Sequence, residues 1–126
     1  MLPAIPLSLA ALVSFGIILI GCLYIFAPQR AMGSFGLKPP ATDADTLAWL
    51  RLKGIRDIAA GLAVLTLMAA TDSRTVGLII LVFAAIPFGD MSNVLLSRGS
   101  KATAFSVHAL TCAVMVVTGL WLLRVI

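Results

Sequence analysis

The sequence predicts an all-α integral membrane protein, an up-and-down bundle of four helices, and three observations predict it. Of 126 residues, 61% are hydrophobic and 11% charged, against roughly 45–50% apolar and 25% charged in a soluble domain. The apolar residues fall into four runs, each long enough for the about 20 residues that cross a hydrocarbon core. Three polar connections rich in Pro, Gly, Asp and basic residues separate those runs. Residues 1–126 therefore read as a single transmembrane domain.

The first helix is expected over about 6–27. Pro3 and Pro6 stand where a helix start tolerates proline, no charge interrupts the run, and Ser14, Gly16 and Gly21 permit close helix approach. Tyr24 suits an interfacial belt. The run lacks a basic n-region and exceeds the 7–15 apolar residues of a signal peptide, so it reads as a retained helix. Residues 28–46 form the longest connection, in which Met32, Phe35 and Leu37 either lie in the headgroup plane or cover the bundle end.

The second helix, about 44–70, starts from an Asp43 or Asp45 cap and carries the segment LAWLRLKGIRDIAAG. Lys53 and Asp57 are four residues apart on one face, which allows an intrahelical pair. Arg56 points about 100° away from Asp57 toward another partner, and Arg51 is shallow enough to reach the interface. After a TDSR turn, the third helix is expected over about 75–96, with Pro87, Asp90 and Asn93 on one side. The proline removes a backbone hydrogen bond and bends the helix beside a carboxylate. The fourth helix, about 104–125, holds one titratable group, His108, with Thr111 and Cys112 on its face.

Several function classes lose support at this level. A formal charge of +4 and a pI near 9.7 would suit nucleic acid, yet the basic residues are scattered through the loops without aromatic platforms. Cys22 and Cys112 lie in apolar runs with no CxxC and no histidine at ligand spacing, so neither a metal nor a redox pair is expected. No cofactor motif is visible. Arg30, Lys38, Arg98 and Lys101 in the longer connections outnumber Arg74 and Arg124 at the other end, which places the longer connections in the cytoplasm and the termini outside a plasma or inner membrane.

Depth gives the main functional argument. From the end with the longer connections, Arg56 and Asp57 lie about 13–15 Å down, Asp90 about 10 Å and His108 about 9 Å, at a rise of 1.5 Å per residue. Three helices thus place an ionisable group in one layer, and such a group in hydrocarbon costs at least about 2.5–3.5 kcal/mol unless paired or wetted. A packing role is the competing explanation, because Lys53, Arg56, Asp57 and Asp90 balance to zero and buried ionic groups can fix helix register.

The small size, four spans, KGIRDIAAG in the second helix and PFGDMSN in the third resemble the DoxX-like group of small four-helix membrane proteins. The resemblance implies the bundle more than any chemistry, since members of that group are associated with redox or membrane-complex subunits and share no single activity. Small multidrug-resistance transporters are similar in size, but their signature is a glutamate in the first helix and this chain contains no glutamate.

The expected function is a buried polar pocket that binds a lipophilic or amphipathic molecule from the membrane. Asp57, Asp90 and His108 are its candidate catalytic residues, and Lys53, Arg56 and Asn93 its candidate substrate-binding residues. Lys53 or Arg56 would hold an anionic or carbonyl oxygen, a carboxylate would act as base and His108 would shuttle the proton. That kit suits a cofactor-independent isomerase or cyclase. Two alternatives are a proton-coupled transporter working as a homodimer and an accessory subunit whose charges serve packing alone.

Overall fold

A computed structural model of the chain describes residues 4–124. Pro3 and the expected end of the last helix near Val125 lie outside the described residues. Among the described residues all regular structure is helical.

Helix α1 (Ala4–Phe26) holds Pro6 among the first residues, whose N–H groups have no intrahelical acceptor. It ends because Ala27 precedes Pro28: a residue before proline is pushed out of the α region, and Ala27 sits at φ −140°, ψ 56°. Pro28 then opens a short helix α2 (Pro28–Gly33) that buries Pro28, Ala31 and Met32. The longest connection is thus partly an inserted element, held by its apolar side.

Helix α3 (Ala44–Ala70) is capped by Asp43, which accepts from the Thr46 N–H. This settles the choice between Asp43 and Asp45. Asp72 caps α4 (Ser73–Phe83) in the same way, so that helix starts before the TDSR segment is finished. The expected third helix is interrupted at Ala84 and resumes as α5 (Ala85–Leu96). The cause is Pro87, which has no N–H to offer the carbonyl four residues back. The fourth helix begins earlier than expected, because Ser100 caps α6 (Lys101–Thr103). It continues through a π-helical segment, Ala104–Ala109, into α7 (Leu110–Leu122).

Three of these stretches, Ala4–Phe26, Ser73–Leu96 and Lys101–Leu122, are long and apolar enough to cross a membrane. At 27 residues α3 has the length as well, but its first half carries Asp45, Arg51, Lys53, Arg56 and Asp57.

The helices pair closely. Gly21 of α1 and Gly54 of α3 bring their backbones together: a Cβ on Gly54 would lie 2.5 Å from the Gly21 carbonyl oxygen. Gly61 meets Ser14 in the same way one contact further along. On the other side α4 packs on α7, with Gly77 against Gly119. The two pairs join through α1 on α7 and α3 on α4 around a core of Ala10, Val64, Val76, Ile80, Met115 and Leu122. Toward the end with the longer connections the pairs part: α5 packs on the π-helical segment, and neither makes extensive contact with α1 or α3. The segment after α2 spans the gap. Gly36, at φ 99°, accepts the Ser100 N–H at 2.8 Å, which ties the two longer connections to each other.

Candidate functional site

A cavity of about 310 Å3 occupies the space between the parted pairs. Its walls are mostly apolar, from Val13, Ile17, Val64, Ile80 and Phe83 among others, and its polar end is formed by Tyr24, Ser34, Lys53, Asp90 and His108. Ile20, Leu23, Ile86 and Val107 line it while remaining 43–47% exposed, so the cavity is continuous with the outer helix surface. Gly16 also lines it, and a Cβ there would meet no atom within 4 Å.

Each polar group is positioned by its own element. Lys53 and Asp57, one turn apart on α3, form an ion pair at 2.6 Å with side chains 32% and 10% exposed. The Lys53 ammonium also stands 4.5 Å from the centre of the Tyr24 ring and 5.5 Å from that of Phe35, within the range in which a ring face attracts a cation. Asp57 does not line the cavity and reaches it only through Lys53.

His108 lies in the π-helical segment, an irregularity often found at functional sites. Its Nε2 is 2.9 Å from the Phe35 carbonyl oxygen, and its ring packs on the Phe35 ring at 4.7 Å. A carbonyl only accepts, so Nε2 must carry a hydrogen and donate it. In the neutral imidazole Nδ1 is then the bare, accepting nitrogen. Nδ1 stands 4.0 Å from Oδ2 of Asp90, a side chain that makes no hydrogen bond among the described residues. In that form of the ring two acceptors face one another across the polar end of the cavity. A donor placed between them would satisfy both.

The structure brings Lys53, Asp90 and His108 to one cavity, with Asp57 behind Lys53. It does not bring Arg56 or Asn93 there: both are exposed and absent from the lining. Arg56 follows the 100° turn that separates it from Asp57, and Asn93 falls on the outer side of α5. Tyr24, expected in an interfacial belt, is buried at 3% exposure and forms part of the polar end. Its position near the α1 terminus, level with the start of the antiparallel α3, was the available signal. Phe35 could be foreseen as a cover, whereas the role of its carbonyl could not.

Cys22 and Cys112 are free, and the Cys112 thiol lies 3.5 Å from the Ala84 carbonyl at the helix break, which also accepts the Phe88 N–H at 3.3 Å. Among the described residues no cluster of three or more His, Cys, Asp or Glu is placed to hold a metal.

Fold and site together define a class, an all-helical protein with three membrane-length helices and a polar-ended cavity between helix pairs. Within that class the chain belongs to the family described as a domain of unknown function (DUF4267), whose model matches residues 14–122. No curated protein and no solved structure matches it significantly.

Proposed function

We propose that the protein is a four-helix membrane unit that takes a lipophilic or amphipathic small molecule into the cavity sideways from the bilayer and exchanges a proton with it. The carrying observation is the facing pair His108 Nδ1 and Asp90 Oδ2, 4.0 Å apart, at the polar end of an otherwise apolar cavity. At about 310 Å3 the cavity falls within the roughly 300–1,000 Å3 of small-molecule sites. Its exposed apolar rim supports entry from lipid.

Asp90, held beside an accepting imidazole nitrogen, serves as base, His108 relays the proton, and Lys53 with its ring partners fixes the field around them. Isomerisation or cyclisation is the reaction class this equipment suits. Binding through Arg56 or Asn93 has no geometric support. A DoxX-like relationship and cytoplasmic longer connections remain part of this reading on the sequence features that suggested them.

Proton-coupled transport is the second reading, favoured by one observation: the Asp90 side chain is 31% exposed and has no hydrogen-bond partner among the described residues, free to exchange a proton for a ligand. The test is mass spectrometry of small molecules that co-purify in mild detergent, comparing the natural chain with Gly16→Leu, which fills the cavity from a position with open space. A compound retained by the first and lost from the second is expected. Identical profiles would overturn the pocket.

A further inference from the structure

We infer that the ligand of this cavity is a protonated amine on an apolar body, an inference that rests on the pocket reading above. Lys53 is already paired with Asp57 at 2.6 Å and covered by the Tyr24 and Phe35 rings, so it has little charge left to offer an anionic head. Asp90 is then the unbalanced group. With His108 neutral and both carboxylates ionised, one cation stands against two anions and the polar end is short by one positive charge.

Hydrogen-bond chemistry points the same way. Phe35 fixes Nε2 of His108 as a donor, so in the neutral ring Nδ1 is an acceptor turned toward a carboxylate that also accepts. An ammonium head has donors for both and supplies the missing charge, making its bond to Asp90 the stronger, charge-assisted kind. A hydroxyl satisfies only one acceptor and leaves the charge unbalanced. A carboxylate or phosphate head adds a second unbalanced charge and a third acceptor. The apolar walls from Val13 to Phe83 accommodate the remainder of the molecule.

Three tritiated probes that share one chain, octylamine, octanol and octanoate, test this on the purified protein in detergent by scintillation proximity at neutral pH. Octylamine is expected to bind at least about tenfold more tightly than either of the others. Asp90→Asn should remove that preference while octanol binding changes little. Gly16→Leu, with Asp90 intact, should weaken all three. Octanol or octanoate binding as tightly as octylamine would overturn the amine and leave the pocket standing, as would an unchanged amine preference in Asp90→Asn. Binding of every probe unaffected by Gly16→Leu would overturn the pocket and the amine together.

Discussion

The Nε2–H of His108 donates to the backbone carbonyl of Phe35, 73 residues away in the chain, at 2.9 Å. This bond links the segment after α2 to the π-helical segment, the two elements that close the parted end of the molecule. It also sets the tautomer that aims Nδ1 at Asp90.

Loss of the bond should loosen the cover. In His108→Ala the Phe35 carbonyl loses its donor and the Phe35 ring its 4.7 Å neighbour, for an expected loss of about 1–3 kcal/mol from the unsatisfied group. Hydrogen exchange should speed up at the Ser34 and Phe35 amides, which bond to Ala31 and Met32, while the Val64 and Ile80 region stays protected. Uniform protection throughout would show that the segment holds itself in place.

The Lys53–Asp57 pair should respond asymmetrically to substitution. Asp57→Ala leaves a partly buried ammonium without its carboxylate and should cost about 1–3 kcal/mol, whereas Asp57→Asn keeps an acceptor oxygen and should cost less. Adding Lys53→Met to Asp57→Ala should recover part of the loss. Thermal unfolding in detergent would measure all three, and equal small losses for both single variants would mean that the pair contributes nothing.

Glycine substitutions separate close packing from open space. A Cβ on Gly54 would come within 2.5 Å of the Gly21 carbonyl, so Gly54→Ala must force α1 and α3 apart at about 1–3 kcal/mol. Gly16→Ala meets nothing and should be neutral or stabilising by about 0.5–1 kcal/mol, the usual gain from removing a helical glycine. Similar losses at both positions would contradict the α1–α3 packing.

The helix caps give the chain an acid limit. The Thr46 backbone N–H holds the Asp43 carboxyl below its ordinary 3.8, and the Thr75 N–H does the same for Asp72. A carboxyl lowered by folding contributes stability that is complete above its unfolded value and lost as pH falls through the folded one. Melting temperature should therefore drop as pH falls below about 4, and the drop should shrink in an Asp43→Asn, Asp72→Asn double variant. An unaltered acid profile would remove the caps as its cause.

Much of this arrangement is legible in the sequence because membrane length, proline and helix periodicity are local signals. The i, i+4 spacing of Lys53 and Asp57 forecasts their pair, the Asp43 cap follows from residue type, and Pro87 forecasts the break at Ala84. The depth count anticipates that Asp90 and His108 share a layer, because it needs only the rise per residue and alternating direction. What escapes is rotational and non-local. Arg56 has the right depth and the wrong azimuth, Asn93 likewise, and nothing local shows that α2 carries Phe35 in to meet His108. The π-helical segment is equally silent in the sequence, since AFSVHAL reads as an ordinary apolar helix.

Asp90 and His108 should behave as one unit. Their facing atoms are 4.0 Å apart, they line the same cavity, and any donor that satisfies one lies within reach of the other. Losses of ligand affinity from Asp90→Asn and His108→Ala should therefore be non-additive, with a coupling of about 0.5–3 kcal/mol in a double-mutant cycle. Because His108→Ala also frees the Phe35 carbonyl, His108→Gln serves as the companion variant: its amide nitrogen reaches the Nε2 position and keeps a donor for that carbonyl, but nothing replaces the Nδ1 acceptor that faces Asp90. Coupling that appears with both His108 variants belongs to the Nδ1 side of the ring, and coupling confined to His108→Ala belongs to the cover. Strict additivity with both would mean that the two groups meet no common ligand, and the reading of this cavity as a proton-exchanging site would fall.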